Sequence, residues 1–112
     1  MMVSKENAEH YVWKLVCDGW HLVRPGELSV ILERMLPGTA EDRHLHQRVR
    51  QFFFVLSGEV SLELDGKVER LRAGEGLEVA PGLPHQMRNE PSSDVEFLLV
   101  SSGISREDRY PA

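Results

Sequence analysis

His44 and His46 stand two residues apart in Arg43-His-Leu-His46, and on an extended strand that spacing turns both imidazoles to one face. Such an arrangement suits chelation of a cation by neutral imidazole nitrogens. A third histidine, His85, follows the turn-forming run Ala80-Pro-Gly-Leu-Pro84, which delivers it to the start of a later strand with Met87 and Asn89 on its side. His10 and His21 lie outside these two Gly-framed segments and read as ordinary surface or core residues. The single cysteine, Cys17, excludes an internal disulfide and reads as a small half-buried residue in a reducing compartment.

The elements that must position these histidines are short. Runs rich in Val, Leu, Ile and Phe alternate with Gly and Pro pairs and are too brief for helices. They give strands near residues 11–16, 20–24, 28–35, 43–46, 51–56, 59–64, 68–72, 76–80, 85–89 and 94–101. The clearest local signal is Val60-Ser-Leu-Glu-Leu64, Asp65-Gly66, then Lys67-Val-Glu-Arg-Leu71: alternating strands around an Asp-Gly pair form a hairpin whose type I′ turn needs positive φ at both central residues. Arg24-Pro25-Gly26, Leu36-Pro37-Gly38, Gly74-Glu75-Gly76 and Ala80-Pro81-Gly82 punctuate the rest, and so many evenly spaced strands imply an all-β sandwich, jelly roll or barrel.

With 112 residues the chain has the length of one domain, and 41% hydrophobic residues supply a core without disulfides or a structural metal. Residues 1–10 and the tail over 102–112 carry polar and turn-forming residues and are expected to be weakly ordered. Gln51-Phe-Phe-Phe-Val-Leu56 is apolar on both faces, so Phe52, Phe54 and Leu56 need cover, either from a second copy in a homodimer or from an N-terminal strand of the same chain. Trp13 and Trp20 read as packing residues or as closure for one end of the barrel.

Gly38-x5-His44-x-His46-x4-Gln51-x6-Gly58 and Gly74-x5-Ala80-Pro81-Gly82-x2-His85-x3-Asn89 resemble the paired motifs of the cupin superfamily, over roughly residues 28–100. Two positions depart from that pattern: Gln51 replaces the usual glutamate, and Ala80 stands at the usual proline position, with Pro81 next. The resemblance implies an antiparallel double-stranded β-helix, or jelly-roll barrel, as a single domain whose core spans about 28–100, with N-terminal strands at about 11–24. It further implies that His44, His46 and His85 bind a metal inside the barrel, with Gln51 in the fourth protein position. Gln51 either ligates directly or orients a water or a histidine from behind. Three imidazoles and an oxygen donor suit a divalent transition metal, Fe, Mn, Ni, Cu or Zn, and affinity order alone does not choose among them. An amide cancels none of the ion's charge, so weaker retention and a stronger pull on an anionic ligand are expected than with glutamate.

Phe53, Val55, Leu62, Val79, Met87 and Phe97 are the expected inward neighbours of this centre, giving a dry pocket for a small organic ligand or substrate or, equally, plain core. Arg43, Arg48 and Arg50 flank the first motif and either draw an anionic substrate to the mouth or are simply solvated. No general base stands out; Glu33 and Glu78 are the conceivable carboxylates. Cupins include dioxygenases and isomerases, so the resemblance admits a metal-dependent enzyme of either type, a non-catalytic ligand-binding or sensing barrel, or a storage barrel. The net charge of −5 and the lack of a basic stripe argue against a nucleic-acid partner. No stretch reaches the roughly 20 apolar residues of a membrane helix and no apolar signal core is visible, so a cytoplasmic protein without membrane contact is the expectation.

Overall fold

The computed structural model describes residues 2–90 and 93–112. Eleven strands run β1 (Glu9–Trp13), β2 (Cys17–Val23), β3 (Ser29–Met35), β4 (His44–Leu45), β5 (Gln51–Ser57), β6 (Glu59–Leu64), β7 (Lys67–Arg72), β8 (Gly76–Val79), β9 (His85–Arg88), β10 (Val95–Ser101) and β11 (Tyr110–Pro111), with a 3-10 turn at Ser105–Asp108. All described pairings are antiparallel, in a six-stranded sheet ordered β1-β2-β3-β10-β5-β8 and a five-stranded sheet ordered β11-β4-β9-β6-β7. The two sheets face each other across one core, the double-stranded β-helix that the resemblance implies.

Alternation decides which side chains enter that core. Along β10, Val95, Phe97, Leu99 and Ser101 are buried while the residues between them are half-buried, and Phe53 and Val55 do the same on β5. They meet Leu62, Val60 and Met87 from the opposite sheet in one cluster that also takes in Val79 and Phe97. Asp65 (φ 50°) and Gly66 (φ 91°) make the type I′ turn between β6 and β7.

Three features differ from the sequence expectation. The first strand begins and ends earlier, because Lys14 (φ 49°) and Leu15 (φ 67°) make a left-handed turn that no Gly or Asn announces. β1 and β2 extend the six-stranded sheet beyond β3 and do not fold over the outer side of β5, so Phe52 and Leu56 stay 40% and 45% exposed in the single chain. Residues 102–112 are not a featureless tail. They carry the 3-10 turn, and β11 pairs with β4 opposite Leu45 and His44. Asp108 explains why: its carboxylate accepts the backbone N–H groups of Gln47, Arg48 and Val49, three donors that the loop after β4 otherwise leaves without partners.

Candidate metal centre

β4 is only two residues long, and its His44 lies directly opposite His85, the first residue of β9. His46 follows one residue after β4 on the same inward face, so the spacing in the first motif and the turn before the second bring three imidazoles to one place. Their ring centroids are 4.4 to 5.6 Å apart, and one ligand nitrogen from each lies within 4.8 Å of the others. All three residues are buried, at 4% exposure or less.

Backbone carbonyls fix the orientation of each ring. The Nδ1–H groups of His44, His46 and His85 donate to the carbonyl oxygens of Asp42 (2.7 Å), Asp108 (2.8 Å) and Leu83 (3.0 Å). A carbonyl only accepts, so each proton sits on Nδ1 and each Nε2 carries a lone pair. Buried Nε2 atoms of His46 and His85 have no protein partner. Burial also pulls all three imidazoles below the ordinary histidine range, His44 to about 3, which keeps the rings neutral at pH 7. Converging buried lone pairs without donors are the arrangement a cation satisfies.

Gln51 opens β5 and is 2% exposed. Its Nε2 donates to Ser101 Oγ at 3.2 Å, which orients the amide and leaves a buried Oε1 with no partner. The free oxygen is the donor that a metal or a bound water would take. A cavity of about 800 Å³ adjoins this group and is lined by His44, His46, Gln51 and Phe53 at its floor.

A family model described as a cupin domain matches residues 31–101, the span that holds both histidine segments. The chain belongs to the cupin family. Over 71 residues it is 34% identical to a polyketide synthase, CurC, of Streptomyces cyaneus; the match takes in 63% of this chain and 46% of that protein, so this cupin spans about half the length of the curated relatives it matches. Among solved structures it superimposes on the polyketide cyclase RemF from Streptomyces resistomycificus with a TM-score of 0.79 at 19% identity, over 90% of this chain and 78% of the other. It also superimposes on a predicted oxalate decarboxylase from Thermotoga maritima with a TM-score of 0.82 at 20% identity, over 90% and 97% of the two chains. At such identities the two superpositions report the fold.

In this cupin the walls of the cavity differ from those expected. Of the six anticipated residues only Phe53 reaches the space; Val55, Leu62, Val79, Met87 and Phe97 are packed in the core beyond it. Alternation gives the face of a strand and says nothing of depth along it. Ile31, Leu99 and Trp13 supply apolar wall, and the cavity is not dry, because Tyr11, Glu33 and Glu41 face it.

The carboxyl of Glu33 is held by a device that spans three strands. Tyr11, Gly19 and Glu33 are aligned across β1, β2 and β3, and the Tyr11 ring lies over Gly19 so closely that a Cβ there would fall 2.1 Å from the ring. The Tyr11 hydroxyl thereby donates to Glu33 Oε2 at 2.6 Å. Burial pushes the Glu33 carboxyl up to about 7, and burial together with the adjacent Glu33 charge keeps the Tyr11 hydroxyl protonated. Glu41, not anticipated from sequence, accepts the Met87 N–H at 2.9 Å and lies 3.9 Å from His44 Nδ1; burial pushes its carboxyl up to about 8. Glu78 points away, in an exposed pair with Arg50 at 2.7 Å.

The flanking cations are mostly accounted for. Arg43 touches the cavity but pairs with Glu63 at 2.6 Å, Arg50 is taken by Glu78, and exposed Arg48 does not line the cavity. His10 pairs with Asp18 at 2.8 Å, whereas His21 lines the cavity with its ring 5.1 Å from Tyr11. Trp13 is at the mouth, and Trp20 lies on the outer side beneath Lys5 Nζ. Cys17 is fully buried with its Sγ 3.4 Å from Thr39 Oγ1.

Asp108 thus serves two segments at once, through its carboxylate to residues 47–49 and through its carbonyl to His46. Its carboxyl is held below the usual aspartate range, chiefly by the Arg48 amide and then by burial acting the other way and the Val49 and Gln47 amides, so the anchor is present at neutral pH and is released on acidification. Asp108→Ala is expected to lower the urea midpoint and to speed hydrogen exchange at the amides of residues 47–49 by about tenfold or more, with protection in β10 nearly unchanged. Unaltered exchange at those three amides would show that Asp108 does not tether the loop.

Proposed function

We propose that this cupin is a metal-dependent enzyme of the isomerase type, moving a proton on a carbon next to a carbonyl group in a small organic molecule. The observation that carries the reading is the Glu33 carboxyl, bonded to Tyr11 and held near neutrality, facing the same cavity as His44 and His46. His44, His46 and His85 hold a divalent transition metal, and Gln51 Oε1 is the fourth protein donor; the orphaned buried Nε2 and Oε1 atoms support that set. When bound, the ion supplies Lewis acidity toward a carbonyl oxygen.

The chain's own residues perform the proton work. Ionised Glu33 takes the proton from carbon, and a group near neutrality is an efficient base at physiological pH. Tyr11 fixes the carboxylate by donating to Oε2, leaving the other oxygen for the substrate. Protonated Glu33 then returns the proton at a neighbouring atom; alternatively the carbon that lost it bonds to a second carbonyl carbon in the same molecule, the π electrons of that carbonyl move to its oxygen, and the oxyanion takes the proton back from Glu33. Phe53, Ile31 and Leu99 give the substrate an apolar wall to pack against. The Streptomyces cyaneus relative, named a polyketide synthase, supports a carbonyl-rich substrate, since a polyketide is a chain of such groups.

A second copy of the chain is proposed to cover Phe52, Phe54 and Leu56. Across the sheet, Trp20, Leu32, Leu98 and Phe54 form one outer row, and Val30, Val100 and Phe52 the next, an apolar face shared by four strands.

In D2O, the metal-loaded protein is expected to exchange the methyl protons of an aryl methyl ketone, followed by NMR. The rate should rise with pH about a midpoint at or below 7, because the ionised form is the base, and Glu33→Gln should reduce it by about 100-fold or more while metal content is retained. Equal rates in the two proteins would remove Glu33 from the mechanism. Gln51→Glu is expected to raise metal affinity by about tenfold or more in competition against a chromophoric chelator, by adding a negative charge to the ion's donors; unchanged affinity would exclude Gln51 as a ligand. Sedimentation velocity should give a dimer that Phe52→Lys with Leu56→Lys converts to a monomer, and a monomeric wild type at micromolar concentration would refute the pairing.

A further inference from the structure

Four cationic side chains line the cavity: Lys14, Arg43, Arg106 and Arg109. Two are matched by acids, Lys14 by Asp42 at 2.7 Å and Arg43 by Glu63 at 2.6 Å. Arg106 has no hydrogen-bond or ion-pair partner among the described residues, and Arg109 has only a long contact from Nη2 to the Asp42 carbonyl oxygen, at 3.4 Å. Both come from the segment that Asp108 ties to the histidine loop. They are three residues apart on and just after the 3-10 turn at Ser105–Asp108, a spacing that places them on one side of such a turn.

The acids facing the same space temper this charge, since Arg109 acts to lower the Glu33 and Glu41 carboxyls, but none of them is in ion-pair contact with either arginine. Asp42 is taken by Lys14, Glu33 is bonded to Tyr11, Glu41 accepts the Met87 amide, and Glu9 is exposed to solvent. Gln51 adds no negative charge at the floor. A chain with a net charge of −5 therefore keeps two guanidinium groups without an ion-pair partner in the wall of the cavity that adjoins the histidines. An unpaired guanidinium fork is built to receive an oxyanion through two parallel N–H donors.

We propose that Arg106 and Arg109 form the seat for an anionic oxygen group of the substrate, so that the molecule this cupin takes is a carbonyl compound carrying a carboxylate at one end. The inference rests on the enolising reading given above and adds its substrate class. Seated there, the carboxylate lies against the two arginines, the carbonyl end reaches toward His44 and His46, and the carbon next to the carbonyl faces Glu33. The arginines are specificity residues: they hold the end of the molecule that does not react. Because they belong to the segment that Asp108 joins to His46, selection at the mouth and geometry at the floor depend on the same short stretch of chain.

The test uses the full metal-loaded chain and three probes of one shape: 4-acetylbenzoate, its methyl ester, and 4-acetylphenyl phosphate. Dissociation constants come from calorimetry or ligand-observed NMR, for the wild type, Arg106→Gln, Arg109→Gln and the double variant. Both arginines are exposed, so the variants are expected to fold, with amide spectra as the check. The carboxylate should bind the wild type more tightly than its ester, more weakly as salt is raised, and the double variant should lose about tenfold or more for the carboxylate with a smaller loss for the ester. Tighter binding of the phosphate than the carboxylate, lost in the same variants, would keep the seat and reassign its anion. Equal losses for acid and ester, no loss for either, or no binding of either anion by the wild type would overturn the proposal. Proton exchange of the methyl ester by the wild type reports on the enolising reading alone, so the two ideas fail separately.

Discussion

Three hydrogen bonds from imidazole Nδ1–H groups to backbone carbonyls are the constraint on which this site depends. A histidine ring inside a barrel is otherwise free to present either nitrogen and to turn about its side-chain torsions. Here the carbonyls of Asp42, Asp108 and Leu83 select one tautomer for all three rings and aim their Nε2 atoms at a common volume. Each acceptor belongs to a different piece of chain: the approach to β4, the 3-10 turn after β10, and the turn before β9. The centre is therefore a meeting point of three backbone segments, and its precision is inherited from the sheet pairings that fix them. The opposition of His44 to His85 belongs to the five-stranded sheet, while Gln51 is held from the six-stranded sheet through Ser101, so the three imidazoles and the amide are drawn from both layers of the core.

The parts of this design that are local in sequence were legible there. Period-two alternation in β5, β6 and β10 and the Asp65-Gly66 turn identify strands and faces, because the pleat imposes them residue by residue. The two-residue step between His44 and His46 is likewise local. Gln51 was placed by motif, and its buried, partnerless oxygen agrees with an inward position. What the sequence left open depends on depth and on contacts between distant segments. Val55 and Phe97 point inward as expected yet pack beyond the cavity, since alternation carries no coordinate along the barrel axis. Asp108, some 60 residues from the loop it ties down, looks like one acid in a charged stretch.

Glu33 is an intermediate case. In Ser29-Val-Ile-Leu-Glu-Arg-Met35 it shares the parity of buried Ser29, Ile31 and Met35, so the pattern does place a carboxylate inside. A charged group at such a position costs free energy unless something compensates it, and the compensation comes from β1, across an intervening strand. Gly19 is what makes this possible: with no Cβ on the row between Tyr11 and Glu33, the aromatic ring can lie flat over β2 and bring its hydroxyl to the acid. The N-terminal strands, which a minimal barrel does not need, are thus a wall of the cavity and the source of the group that orients its acid. They widen the six-stranded sheet instead of capping its outer face, and the same choice leaves Phe52 and Leu56 without cover.

Gln51 and Glu33 are connected through charge. A glutamate at position 51 would neutralise part of a bound ion and would also add a negative charge to the cavity that holds Glu33 and Glu41. Each effect favours protonated carboxyls, through weaker attraction from the ion and stronger repulsion among the acids. An amide does neither. Under the reading proposed above, the ion's full charge then acts on Glu33, which burial, opposed by Tyr11 and Arg109, leaves near 7, and pulls it toward the ionised form that removes a proton from carbon. Under that reading, the amide that weakens retention of the ion is what lets a half-buried carboxylate serve as the base, and the two departures from a sealed, apolar barrel, a neutral amide beside the histidines and an acid in the wall, belong to one electrostatic arrangement.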